Sequence, residues 1–230
     1  MNVAIEEKLK LVIRLEHDDD VESPVDGNCF SMINGFNSRE ELVDKLAEFE
    51  KDDSRIEGEN YWVLSCYRHH GESWSLRGEG HTCKWDTTTV AGLLYTETGG
   101  SLGKWIGWSA AARATIETFN QWCAGDCWWY QVDKYEDVHE AGCCPNCKTP
   151  GVSWNTNTSR QLDSCGGFIG LGHAMDELIS SLAHQMELDP NLVDTHEVVF
   201  QGDDSANYYK DDVIAKVEEL GFTSERNKDE

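Results

Sequence analysis

Paired cysteines and histidines carry the clearest chemical signal in this chain. Cys144-Pro-Asn-Cys147 has the two-residue spacing of a metal knuckle, and Cys123-x3-Cys127 offers a second pair beside the helix-breaking Gly125. Zinc takes four thiolate or imidazole ligands in a tetrahedron, and two Cys pairs on tight turns supply them once a hairpin brings the pairs together. The 16 residues between the pairs suit such a hairpin. Cys123, Cys127, Cys144 and Cys147 are therefore the expected ligands of a structural zinc, with His139, Cys143 and Cys165 as substitutes. A closed set of four thiolates leaves no position for a reactive water, so the metal expected is structural. The alternative is that these thiols pack as small hydrophobes.

A second constellation joins His69, His70, His81, Cys83, Trp85 and Asp86, with Asp163 and Cys165 further along. Cysteine, histidine and aspartate together can form a nucleophile, a base and a group that orients the base. His70, Cys83, Asp86 and Asp163 are the candidates for those roles. Asp86 before Thr87 and Thr88 reads equally well as a turn or cap residue. Other enzyme signatures fail. Gly99-Gly-Ser-Leu-Gly103-Lys104-Trp105 is one residue short of a phosphate loop and has Trp where Ser or Thr holds magnesium. Asp18-x-Asp20-x-Glu22 begins like a calcium loop, but Ser23 stands where the turn needs glycine.

Charge sharpens the functional class. The formal net charge is −24 over 230 residues, and it is concentrated at the two ends. Residues 1–60 carry 7 Lys+Arg against 17 Asp+Glu, and residues 171–230 carry 4 against 15. The stretch 61–170 carries 8 against 11 and contains all nine Trp and eight of the nine Cys. Phosphate binding needs a cationic face, so direct nucleic-acid binding is not expected. A basic protein partner suits the acid better. No apolar run follows a basic start at Met1–Lys10, and none reaches the roughly 18 residues a membrane span requires. A cytoplasmic location is therefore expected, with thiols reduced or metal-bound.

The elements that must position these groups are legible from periodicity. Leu9–His17 alternates as a strand. Ser38 and Glu41 form a capping box before the helical face Leu42, Val43, Leu46 and Phe49. Tyr61–His69 and Ser73–Gly78 read as a hairpin, and Val90–Thr96 as a further strand. Ser109 is the expected cap of a helix carrying Ala112, Ile116, Phe119 and Trp122. Cys127–Val132 and Arg160–Cys165 are β-prone. Leu171, Met175, Leu178, Leu182 and Met186 mark the clearest amphipathic helix. Glu197–Gln201 is a short strand, and Tyr209–Leu220 a last helix stopped by Gly221. Interspersed strands and helices without βαβ alternation predict an α+β fold, a central antiparallel sheet with amphipathic helices packed on it and a small zinc knuckle. The expected division is an α+β core over residues 1–170 and an acidic helical region over 171–230 that packs on that core.

The segment YWVLSCYRHHGESWSLRGEGHTCKWDTTTVAGLLYTE, through His70, Gly71, Cys83, Trp85 and Asp86, resembles a hairpin of uncharacterised tailed-phage accessory proteins. SRQLDSCGGFIG resembles their closing strand at Asp163, Ser164, Cys165, Gly167, Phe168 and Gly170, and EHDDDVESPVDGNCFSMI their acidic first loop. Lys84 replaces a proline of that pattern, Gly166 replaces a tryptophan, and the Cys143–Cys147 knuckle lies outside it. The resemblance implies a phage origin and an intracellular role in the host, and it implies no reaction.

Charge, motifs and resemblance together point to a non-enzymatic acidic protein that binds a basic host or defence protein, by nucleic-acid mimicry in one version. The expected carriers are Asp18, Asp19, Asp20, Asp52, Asp53, Asp203, Asp204, Asp211 and Asp212. The rivals are a metal- or thiol-dependent enzyme at His70, Cys83, Asp86 and Asp163, and a structural zinc domain whose acid keeps it soluble.

Overall fold

In β1 (Lys8–His17), Leu11, Ile13 and Leu15 point to one face, as period-two alternation requires. All three are fully buried against Tyr130 and Val132 of β6 (Cys127–Gly142). The computed structural model describes residues 8–25, 30–34, 39–52, 54–69, 71–96, 107–142, 152–190, 192 and 197–222. The chain forms two compact units, residues 1–19 with 127–230 and residues 20–126.

The first unit adds β7 (Val152–Ile169) and β8 (Glu197–Gly202) to these strands, giving a sheet in the order β7-β6-β1-β8. The β7/β6 and β6/β1 pairs are antiparallel, and β1/β8 is parallel. Helices α1 (Arg39–Lys51) and α2 (Trp108–Cys123) belong to the other unit. Here α3 (Leu171–Leu188), the single turn α4 (Asp204–Asn207) and α5 (Lys210–Glu219) accompany the sheet. Ala174, Leu178 and Leu182 of α3 and Val213 and Val217 of α5 close over the β1/β6 leucines and isoleucine. Each such fully buried Leu, Ile or Val side chain is worth about 1.5–3 kcal/mol. Gly170 starts α3 at φ 87°, a conformation that a side chain resists.

The strands of the second unit are β2 (Ser31–Ile33), β3 (Tyr61–Arg68), β4 (Glu72–Leu76) and β5 (Thr87–Tyr95). They form an antiparallel sheet in the order β2-β5-β3-β4. Tyr61 and Val63 pack with Leu42 and Phe49 of α1 on one side. Trp62, Leu64 and Cys66, alternating with them, pack with Ala112, Ile116 and Phe119 of α2 on the other. A strand covered on both faces reads as a continuous apolar run, which is the pattern of YWVLSC. The amide of Asn120 in α2 takes both main-chain groups of Trp74 on edge strand β4, at 2.7 and 2.8 Å. It thereby occupies positions a further strand would use.

Gly92 in β5 has a packing reason to lack a side chain. A Cβ there would stand 2.8 Å from the Ile33 carbonyl oxygen on β2 and 3.3 Å from the Trp74 ring. Gly92→Ala is therefore expected to destabilise the second unit by about 1–3 kcal/mol in urea denaturation. An unchanged midpoint would show that β2 yields freely.

The α+β class and the dominance of antiparallel pairing match the sequence reading. Two four-stranded sheets replace the one central sheet expected, and β1/β8 is a parallel pair. The grouping also differs from a break at residue 170. Helix α3 packs on β6 and β7, and β8 pairs with β1, so both belong with strands on the earlier side of that break. Ser109 is not the cap of α2: Gly107 holds that position, and the Ser109 hydroxyl donates to the Gly58 carbonyl at 3.1 Å. Strands β6 and β7 run well beyond the β-prone segments that announced them. Ser38, the expected cap of α1, and the Cys143–Cys147 knuckle lie outside the described residues.

Candidate functional site

The parallel pairing of β1 with β8 has a direct electrostatic consequence. Arg14 lies opposite Gln201 and Leu15 opposite Gly202, so both strands end on the same edge of the sheet. His17-Asp18-Asp19 leaves one strand beside Asp203-Asp204 leaving the other. Two acidic segments about 185 residues apart in sequence therefore share one end of the first unit.

Asp203 holds this junction together. Its Oδ2 accepts the His17 backbone N–H at 3.1 Å and faces His17 Nδ1 at 2.9 Å. Its Oδ1 accepts the Ala206 N–H at 2.8 Å and so caps α4. Partial burial pushes the Asp203 carboxyl up, but the hydrogen bonds from Ala206 and His17 outweigh it and hold the group below its ordinary range. The His17 ring stacks on Trp128, with centroids 4.1 Å apart. Asp18 is likewise engaged: its Oδ2 accepts the Gly167 N–H at 2.8 Å. A Cβ on neighbouring Gly166 would come within 2.8 Å of the same oxygen and 3.2 Å of the Trp129 Cβ, so a side chain there would push on the Asp18 carboxylate.

The nine aspartates expected to meet a partner thus separate by role. Asp18 and Asp203 are half-buried and tied into the first unit, whereas Asp19, Asp204, Asp211 and Asp212 are exposed. Asp211 and Asp212 occupy the first turn of α5, where carboxylates also favour the helix dipole. Nearby cations are already engaged: Arg14 with Asp133 at 2.9 Å, Lys134 with Asp189 at 3.2 Å and Lys216 with Asp176 at 2.9 Å. The unit's residues carry 10 Lys+Arg against 25 Asp+Glu, net −15. Asp20 and Asp52 are exposed but belong to the second unit, which carries 9 against 18, net −9. Asp52 closes a local turn, accepting the Ser54 N–H and hydroxyl at 2.9 and 2.6 Å, and those bonds lower its carboxyl. Asp53 lies outside the described residues.

The cysteine–histidine constellation is partly assembled, in the second unit. The Cys83 thiol donates to Asp86 Oδ2 at 3.2 Å, and His69 Nδ1 lies 3.5 Å from the same oxygen. His81 packs on Tyr67 with centroids 4.8 Å apart, and Trp85 is 85% exposed beside them in sequence. In these contacts a carboxylate stands between thiol and imidazole, whereas nucleophilic catalysis places the imidazole between. His69 occupies the position beside Asp86, and His70 lies outside the described residues.

Asp163 has other partners. It lies on β7 of the first unit, where Oδ2 accepts the Tyr130 phenol at 3.1 Å and, closely, the Ser181 hydroxyl of α3. Burial, followed by the neighbouring carboxylate, pushes the Tyr130 phenol up to about 12. The arrangement ties β6, β7 and α3 by polar bonds inside an apolar layer. Neither Tyr130 nor Ser181 carries a recognisable sequence signal, because only their contact with Asp163 distinguishes them.

Of the expected zinc ligands, Cys144 and Cys147 lie outside the described residues. Cys127 opens β6 in the first unit and is buried; Cys123 ends α2 in the second and is exposed. Among the described residues no group of three or more His, Cys, Asp or Glu side chains is arranged to hold a metal ion. Among the described residues, too, no helix is long and apolar enough to cross a membrane. Compared with protein families, curated proteins and solved structures, the chain matches none.

Proposed function

We propose that this chain is a phage-type, non-enzymatic acidic protein that binds a basic host or defence protein through the shared end of β1 and β8. Its carboxylates would stand where nucleic-acid phosphates otherwise sit in a basic groove. The observation that supports this reading is the parallel β1/β8 pairing, which brings the segments carrying Asp19 and Asp204 off the same end of the sheet, with Asp211 and Asp212 on the following helix. Exposed like charges held together in this way repel one another, and a cationic partner relieves that repulsion.

The test is capture of basic proteins from a bacterial lysate on the immobilised chain, read against salt and competing DNA. Binding is expected to weaken by roughly tenfold or more between low and physiological ionic strength. DNA or RNA should displace the partner, and the variant D19N/D204N/D211N/D212N should lose most of the salt dependence. Salt-independent capture, or none that nucleic acid displaces, would sink the mimicry. Cys83 and His69 both lie against Asp86, at 3.2 and 3.5 Å, and the second reading is a thiol-dependent enzyme in which the imidazole would first have to move between thiol and carboxylate. Cys83→Ser separates the two, since the binding reading expects capture to be unaffected.

A further inference from the structure

Strand β7 is the outermost strand at one side of the first unit's sheet. It pairs with β6 along one edge, and among the described residues no strand pairs with the other. The two halves of that open edge are guarded differently. Over Arg160–Phe168, Arg160 and Asp163 carry charge, the register with β6 slips twice between Gln161 and Phe168, and Asp18 takes the Gly167 N–H. Charges and irregularities of this kind keep an edge from accepting a further strand. Residues 152–159, VSWNTNTS, contain neither a charged residue nor a proline. Their register runs without interruption from Ser159 opposite Tyr135 to Val152 opposite Gly142. This half also lacks the support of β1, whose described pairing with β6 reaches Asp137, so from Val138 onward the described residues pair β6 with β7 alone. A two-stranded ribbon is marginal in water, and additional strands stabilise it.

We propose that residues 152–159 of β7 pair antiparallel with the same residues of a second copy of this chain, joining two four-stranded sheets into one. Two-fold pairing about the middle of the segment sets Val152 opposite Ser159 and Asn155 opposite Thr156, and no pair sets charge against charge. The arrangement uses each open edge once, so assembly closes at two copies. A second copy suits this edge better than a basic segment does, because the edge carries no carboxylate to meet a cation. The obstacle is repulsion between two chains of net charge −24. The acids of this arm, Glu136, Asp137 and Glu140, lie on the inner strand β6. In the pair the two β6 strands stand three strand spacings apart, about 14 Å. That distance exceeds the Debye length of about 8 Å at physiological salt and falls well inside the roughly 30 Å at 0.01 M. Salt therefore strengthens this association, whereas it weakens capture of a basic partner at the β1/β8 end. The two interactions are independent.

The test is sedimentation equilibrium of the full-length chain over a concentration series, with its thiols kept reduced, at about 0.01 M and about 0.15 M salt. The expected result is a monomer–dimer equilibrium whose dissociation constant falls by roughly tenfold or more at the higher salt. On dimerisation, peptides covering residues 152–159 should exchange their amide hydrogens more slowly, while those covering Arg160–Gly167 should not change. The double variant Asn155→Lys/Thr156→Lys places like charges opposite one another across the two-fold. It should be monomeric at both salts, with the unfolding midpoint of the dilute chain unchanged. Three results would overturn the proposal: a chain that stays monomeric at both salts, a dimer that salt weakens, or slowed exchange at β8 or α5 in place of β7. All three are read on the wild-type chain, so a poorly folding variant does not protect the idea.

Discussion

Asp163→Ala is expected to cost the first unit about 3–5 kcal/mol. The substitution removes one carboxylate oxygen that serves two hydroxyls, the phenol of Tyr130 and the side chain of Ser181. Tyr130 is only 3% exposed, so without the carboxylate its O–H turns not to water but to the neighbouring Ser181 hydroxyl, which leaves one of the two donors without an acceptor. A buried donor left without an acceptor costs about 1–3 kcal/mol, and hydrogen bonds to a charged group are worth about 1.5–3 kcal/mol each. Asp163→Asn keeps one acceptor oxygen and should lose about half as much. Hydrogen exchange of peptides from β6 and α3 reads the effect in this unit alone. A loss below about 1 kcal/mol would mean that water replaces the carboxylate, and that Asp163 is free for another role.

The same contact governs alkaline stability, with a sign that follows from the direction of the phenol's shift. Tyr130 ionises at about 12 in the folded chain and at its ordinary 10 when unfolded. The folded state therefore binds the proton more tightly. Stability is complete below pH 10 and drains as pH rises from 10 through about 12. Tyr130→Phe should flatten that limb of the denaturation curve.

Asp203→Ala carries the second large effect, about 2–4 kcal/mol, because it removes the bonds to the His17 N–H and ring and to the Ala206 N–H together. The residue is partly exposed, so solvent recovers some of the loss. Its folded carboxyl lies below the ordinary value of 3.8, which fixes the acid behaviour. The stabilisation is complete above that value and is lost as pH falls through and below it. Asp203→Asn should remove the pH dependence while keeping part of the cap. This variant also probes the proposed function. If Asp203 joins β1 to β8 without facing a partner, its loss lowers stability more than it alters the salt dependence of binding. A change confined to partner affinity would move Asp203 from the fold to the surface that binds.

Much of the architecture was legible because local forces decide it. The 3.6-residue spacing of Leu171, Met175, Leu178, Leu182 and Met186 places α3, and the alternation in LKLVIRLEH places β1. Helix α5 stops at Gly221, with φ 100°, as its C-terminal glycine announced. Three-residue β2 was not legible, because a strand that short is defined by its partner β5. The continuation of β6 through His139 and that of β7 from Val152 were missed for the same reason: each long polar arm is specified by the other. Ser109 looked like a cap because serine is a good one. Gly107 precedes it in a positive-φ conformation, and the hydroxyl found a different acceptor.

The candidate site divides along the same line. Composition alone determined that the chain is strongly acidic, that its ends carry most of the acid, and that its thiols and tryptophans lie between them. Only the tertiary structure decided that two of those acidic segments share one sheet edge. Strand pairing between β1 and β8 is set by hydrogen bonds and core packing across nearly the whole chain length, which no window of sequence contains. The tertiary structure also sorted the acids. Asp18 and Asp203 hold the fold, whereas Asp19, Asp204, Asp211 and Asp212 face solvent, though all are aspartates in similar acidic runs. It gave Asp163 partners within the first unit and Cys83 and Asp86 partners within the second. A charge is written in the sequence, but whether it is engaged by a neighbour or left for a partner depends on which side chains the fold brings within hydrogen-bond reach.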